Sequence, residues 1–184
     1  MMTNARLLPA SFRRTALRLA AGMLAVAMAG SAALPTAEAA STTTGQPLPR
    51  FVSLKAARVN VRAGPSNDHA VKWIFVRSGL PVEIVQEFEN WRRIRDSSGG
   101  EGWVYWSLLT GKRTALVAPW GSGKPVALHS AEDETARVTA TLEPNVVVNV
   151  EACDGKWCEV YGKGFKGYAP QAELWGVYPD EVVK

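Results

Sequence analysis

"ENWRRIRDSSGGEGWVYWSLLTG", residues 89–111, can be laid over "GKWCEVYGKGFKGYAPQAELWG", residues 155–176. Trp91 then falls on Trp157 and Ile94 on Val160, each 66 residues apart. Gly102-Trp103 falls on Gly167-Tyr168 and Leu109 on Leu174, at an offset of 65. Upstream, Val59 and Val61 fall on Val126 and Leu128, at 67. Nearly constant offsets over a full unit are the mark of a duplicated structure, here two units of about 60 residues each.

Each unit reads as short strands cut by turns. In the first unit the expected strands are Phe51–Lys55, Arg58–Arg62, Val71–Phe75, Pro81–Glu87, Trp91–Arg95 and Gly102–Trp106. In the second they are Ala115–Ala118, Pro125–His129, Ala136–Leu142, Val146–Glu151, Trp157–Tyr161 and Gly167–Ala169. These runs are rich in Val, Ile, Trp and Tyr and are bounded by Gly, Pro, Asn, Asp and Ser. After residue 40 no stretch keeps a 3.6-residue apolar period for three turns. The fold class is therefore all-β, with each unit a small barrel of five to six strands that closes its sheet and hides its edges. Ser107-Leu108-Leu109 suits a single 3₁₀ turn.

The first forty residues belong to a different argument. Arg6, Arg13, Arg14 and Arg18 precede an uncharged apolar run, Leu19–Leu34, and Ala37-Glu38-Ala39 then follows the helix-breaking Pro35. That order is a secretory signal peptide with cleavage near Ala39, giving a signal over 1–39. The alternative is a retained membrane anchor, but the run has 16 residues, short of the roughly 20 that span a bilayer. The polar, Pro-containing residues 40–49 read as a flexible lead-in. The two domains then occupy 50–112 and 113–184.

Setting the signal aside changes the charge argument. Residues 1–39 carry four Arg and one Glu of the chain's 21 basic and 17 acidic residues, leaving 17 against 16. The basic pI thus belongs to the export signal and gives no reason to invoke nucleic acid. Between the units the balance differs. Residues 50–113 hold 11 Lys+Arg and 6 Asp+Glu, net +5, and residues 114–184 hold 6 and 10, net −4. Opposite signs on adjacent units favour mutual docking.

Cys153 and Cys158 are the only cysteines. In an exported chain a disulfide is their default state. "CDGKWC" reads as a hairpin; with Gly155-Lys156 as its two-residue loop, the cysteines face each other in a closely spaced pair. The spacing is not the C-x-x-C of redox sites, and two thiols without clustered His supply too few ligands for a metal. The sequence calls for no cofactor.

"VNVRAGPSNDHAV" (59–71), "NWRRIR" (90–95) and "GGEGWVYWSLL" (99–109) together resemble the bacterial SH3-like domain (SH3b). That family's pattern has a strand ending in N-V-R-x-G-P-S, a later W-x-x-V and a closing G-W-V. The first unit matches all three, with Ile94 in place of Val. The second keeps "WCEV" and "GYA" but has "VALHSAEDETARV" where the R-x-G-P-S turn would stand. The resemblance implies a five- to six-stranded barrel and an envelope location. Relatives in other architectures bind cell-wall peptides or peptidoglycan, often beside a hydrolase.

Strand parity marks a candidate surface. If Ile94 points into the barrel, Trp91 points out, and the same holds for Val160 and Trp157. The resemblance implies that this position borders a groove between two long loops. Trp103, Tyr105 and Trp106 would extend the aromatic surface, with Arg62, Asn67, Asp68 and His69 as polar contacts; Trp157 and Tyr168 are the second unit's counterparts. The competing reading has each Trp folded over a loop or buried between the units. Trp175 and Tyr178 are expected to seal the barrel or the junction between units.

Catalysis finds little support. His69 and His129, the only histidines, fall in different units, and a Cys-His hydrolase would need a free thiolate. "WGSGKPV" (120–126) lacks the phosphate-loop pattern, and no G-x-S-x-G or H-E-x-x-H occurs. The expectation is an exported, non-catalytic binding or scaffold module, without membrane association once the signal is cleaved. Its partners would be cell-wall peptide, peptidoglycan or an envelope protein. The alternatives are a structural partner-stabilising protein without cell-wall affinity, or an accessory to a hydrolase or redox system.

Overall fold

The computed structural model describes residues 43–120 and 123–184. The expected signal peptide and its cleavage near Ala39 lie outside the described residues. The chain is all-β. In chain order, the first unit contains β1 (Arg50–Leu54), β2 (Val59–Arg62), β3 (Val71–Phe75), β4 (Pro81–Phe88), β5 (Trp91–Arg95), β6 (Glu101–Tyr105) and β7 (Leu109–Thr110). The second contains β8 (Thr114–Val117), β9 (Val126–His129), β10 (Val138–Leu142), β11 (Val147–Asp154), β12 (Trp157–Gly162), β13 (Phe165–Pro170), β14 (Leu174–Trp175) and β15 (Val182–Val183). One-turn 3₁₀ segments at Trp106–Leu108 and Gln171–Glu173 precede β7 and β14.

The two sheets repeat one topology. The first runs β3-β2-β6-β5-β4-β1-β7 and the second β10-β9-β13-β12-β11-β8-β14, with β15 added beside β11. Each therefore exceeds the expected five to six strands. The difference lies in the two-residue strands β7, β14 and β15, which pair with β1, β8 and β11. In the first sheet the strand path runs from β3 to β7, and in the second from β10 to β14.

That core follows from strand alternation. Leu54, Val59, Val61, Val82, Ile84, Ile94 and Val104 form one buried cluster. Val61, Ile84, Ile94 and Val104 have counterparts in Leu128, Val150, Val160 and Ala169 of the second cluster, at the offsets read from the sequence. Each such side chain contributes roughly 2 kcal/mol on burial. Register slips fall at Ile84/Gln86 and Val150/Ala152, 66 residues apart, so even the bulge that bends β4 recurs in β11.

Gly102 and Gly167 show why the G-W-V and GYA motifs begin with glycine. A Cβ on Gly102 would overlap the Val61 side chain and the Arg62 carbonyl. On Gly167 it would overlap Thr139 Oγ1 and the His129 carbonyl. In both sheets two backbones approach too closely for any side chain.

Cys153 and Cys158 are joined, with Cα atoms 4.1 Å apart in directly opposed positions of β11 and β12. Gly155, at φ +103°, takes the turn, and Asp154 Oδ1 accepts the amide hydrogens of Lys156 and Trp157 at 2.8 and 2.7 Å. The bridge is consistent with an exported protein and leaves no thiol for a Cys-His reaction.

The lead-in is not loose where it is described. Thr43 and Thr44 donate their backbone amides to Glu87 Oε2 at 2.7 and 2.8 Å, and Leu48 packs on the first core. A buried carboxylate thus anchors the end of the lead-in to the first unit.

The junction between units is mainly apolar. Phe51 packs edge-on to Trp175 at 5.1 Å and against Tyr178 at 4.7 Å. The Tyr178 hydroxyl donates to Glu83 Oε1 at 2.9 Å, and Thr114 Oγ1 donates to the Gly79 carbonyl at 2.8 Å. Among the described residues the one ion pair joining residues 50–113 to 114–184 is Arg113–Glu181. Docking by opposite net charge is thus replaced by aromatic packing around single hydrogen bonds.

Candidate functional site

The loop after β2 is organised by Arg62. Its Nη1 donates to the carbonyls of Asn67 and His69 at 3.0 and 2.8 Å, and the Ala63 amide donates to the Ala70 carbonyl. The His69 ring occupies the space where a Cβ on Gly64 would sit, so the R-x-G-P-S stretch folds onto itself. The second unit performs the same closure with different residues. His129, 67 positions after Arg62, hydrogen-bonds through Nδ1 to the Ala136 carbonyl at 3.0 Å, and the Ser130 amide donates to the Arg137 carbonyl. Arg62 is first a loop tie, and His129 is its substitute.

On β5, residues 91, 93 and 95 face away from Ile94, as parity requires. Yet Trp91 is only 8% exposed. It lies opposite Tyr105, with the rings edge-to-face at 5.4 Å, so the expected open Trp is corrected. Parity selects the face, but the neighbouring strand supplies a cover. The accessible ring of the pair is Tyr105, at 37%.

Beside that pair is a cavity of about 220 Å³, lined by Arg58, Asn60, Arg62, Asn67, Trp91, Tyr105 and Leu108. It has two cationic side chains, two amphipathic rings, two amides and no carboxylate. Such a set can bind an anionic group by charge-assisted hydrogen bonds while a ring packs on the ligand's apolar part. The sequence reading had named Arg62, Asn67, Trp91 and Tyr105 but missed Arg58, Asn60 and Leu108. Asn60 alternates outward between two core valines, which was a readable signal. Leu108 arrives through the 3₁₀ turn, which was not.

The other candidates scatter. Trp103 stands between Arg62 and Arg93 in the β2-β6-β5 register, partly exposed and outside the cavity lining. Trp106 is 51% exposed on the 3₁₀ turn. Asp68 is exposed at the loop tip, where its amide donates to the Ser66 hydroxyl oxygen at 3.1 Å. Trp157 packs edge-on to His129 at 5.7 Å, and Tyr168 pairs with His129 across β13 and β9. A larger cleft of about 720 Å³ lies at the junction, where Phe51, Glu83, Trp175 and Tyr178 are already its docking contacts.

The family model for the bacterial SH3 domain matches residues 55–111 and again 122–176. The chain belongs to the bacterial SH3 domain family. Both matches begin ahead of the strand that leads into the tied loop and end after the 3₁₀ turn, so this family unit contains the cavity. No curated protein matches. Two solved structures are similar, NlpC2 and NlpC1 from Trichomonas vaginalis. The first is 13% identical with a TM-score of 0.31, covering 69% of this chain and 48% of that one. The second is 14% identical, also at 0.31, covering 74% and 48%. The chain thus spans about half the length of either.

Proposed function

We propose that this bacterial SH3 protein is a non-catalytic cell-envelope module that binds cell-wall peptide through the Tyr105 cavity of its first domain. The domains are taken as 50–112 and 113–184, following an export signal. The observation that carries the reading is the cavity's composition. Arg58 and Arg62 stand with Trp91 and Tyr105 and without any acid. Peptidoglycan stem peptides offer free carboxylates beside short aliphatic side chains, which suits a cationic, aromatic-walled pocket. Arg62 is already positioned by its bonds to Asn67 and His69, so little side-chain freedom is lost on binding.

The test is co-sedimentation of the purified exported chain with insoluble peptidoglycan, comparing the unaltered protein with Tyr105→Ala. Tyr105 is the better probe than Trp91, because removing a half-exposed ring spares the packing that Trp91 provides. The expected result is binding weakened about tenfold, the equivalent of roughly 1.4 kcal/mol for a lost aromatic contact. Failure of the unaltered chain to sediment removes the cell-wall reading and leaves an envelope protein as the partner.

A further inference from the structure

The duplication places a second cavity at the same point of the second barrel, and its chemistry is inverted. It has a volume of about 380 Å³ and is lined by Lys124, Pro125, Val126, Ala127, His129, Glu134, Pro170 and Glu173. Five of these are positional counterparts of the first cavity's wall. At offsets of 67 and 65, Pro125 replaces Arg58, Ala127 replaces Asn60 and His129 replaces Arg62, while Pro170 replaces Tyr105 and Glu173 replaces Leu108. Both cationic side chains of the first cavity are gone, two carboxylates have appeared, and one lysine, Lys124, joins the lining.

We infer that this cavity in the second barrel binds a primary ammonium group, the free amine of a peptide or of a basic side chain. His129 carries the argument beyond charge. Its side chain belongs to a residue only 8% exposed, and it lines the cavity. The Ala136 carbonyl can only accept, so Nδ1 carries a hydrogen and donates it there. Nε2, the other ring nitrogen, makes no hydrogen bond to protein among the described residues. Glu134 and Glu173 likewise have no ion-pair partner among the described residues. Against the single cation of the lining, Lys124, stand two carboxylates, so the cavity keeps a net negative charge. An ammonium offers three N–H donors and a compact positive charge, which answers that set. Pro125, Val126, Ala127 and Pro170 supply an apolar wall for the alkyl stem.

This extends the proposed function without depending on the first cavity's ligand. The chain presents one pocket suited to carboxylate and one suited to amine, on barrels packed together. A cell-wall peptide bearing both groups would be read at two points.

The experiment is an NMR titration of the full exported chain with two blocked probes, Nα-acetyl-lysine N-methylamide and N-acetyl-alanine. The amine probe is expected to move the backbone amides of residues 126–129, 134–136 and 171–174, together with the His129 Cε1 proton. Glu134→Gln/Glu173→Gln is expected to abolish those shifts, and Glu134→Asp/Glu173→Asp to retain most of them. All four substitutions are on exposed or half-buried side chains, and unchanged spectra elsewhere report an intact fold. No amine response at these residues, or one that survives the double Gln variant, overturns the inference. The carboxylate probe reads the first cavity separately, at residues 58–62 and 105–108. If it fails there while the amine response persists, the proposed function is damaged and the ammonium site stands.

Discussion

Glu87 is the residue on which most local order converges. Its side chain is fully buried, and it accepts the amides of Thr43 and Thr44, the Thr44 hydroxyl and the Arg50 guanidinium at 2.6 Å. Arg92 Nε lies 3.3 Å away. Burial alone would raise its pKa, but the Arg50 and Thr44 hydrogen bonds and the nearby Arg92 charge outweigh it and hold the carboxyl at about 2. A folded-state pKa below the unfolded one stabilises the native state above the unfolded value. That stability is lost as pH falls from about 4.5 through about 2. The difference corresponds to about 3 kcal/mol. Denaturant titrations from pH 5 to pH 2 are therefore expected to show the unaltered chain losing stability across that window. Glu87→Gln starts about 3 kcal/mol lower, because Arg92 is left buried without its partner, and its pH dependence is flatter. Equal slopes for the two proteins would show that Glu87 does not carry the acid sensitivity.

At the scale of elements, the glycines that open the G-W-V and GYA motifs set the spacing of β2 against β6 and of β9 against β13. Gly102→Ala forces a methyl into Val61 and the Arg62 carbonyl, and Gly167→Ala into Thr139 and the His129 carbonyl. Each is expected to cost about 2 kcal/mol by overpacking, measured by urea unfolding. The two costs should add, since the sites are in different cores. Losing the short Cys153–Cys158 loop, in the double Ala variant, should cost roughly 2 kcal/mol. The long strands were legible because β-branched runs between turn residues leave few alternatives, and β3 and β5 fall at their expected limits. β7 and β14 were not, because two residues carry no period. Only the match of Leu109 to Leu174 marked them, and it gave equivalence without pairing partners. The site was half legible for a similar reason. Alternation placed Trp91 and Asn60 on the outer face, but it cannot report that Tyr105 covers Trp91. Nor could the sequence reveal that His129 does the work of Arg62, since the shared feature is a bond to a loop carbonyl and the residue types differ.

Across the whole molecule, the question is what keeps two barrels of opposite net charge together. Long-range attraction between net charges of +5 and −4 would weaken as the screening length shrinks, to roughly 8 Å at physiological salt and less above it. The contacts at the junction are of another kind. Phe51, Trp175 and Tyr178 pack their rings, and the Tyr178 hydroxyl is bonded to a Glu83 carboxylate that also meets Arg95 Nη1 at 3.2 Å. Small-angle scattering in about 50 mM and about 500 mM salt should therefore give the same radius of gyration. Tyr178→Ala should increase it at both salts, because it removes the ring and the hydrogen bond together. Alkaline pH offers a finer separation of those two contributions. Burial and then the Glu83 charge push the Tyr178 phenol well above its ordinary range near 10. A raised folded pKa stabilises fully below the unfolded value and is lost as pH climbs beyond it. The junction should hold to about pH 10 and loosen above it. Tyr178→Phe keeps the stacking but has no proton to lose, so its scattering should lack that alkaline transition. If the variant loosens at the same pH as the unaltered chain, the hydroxyl is not the group that locks the barrels together.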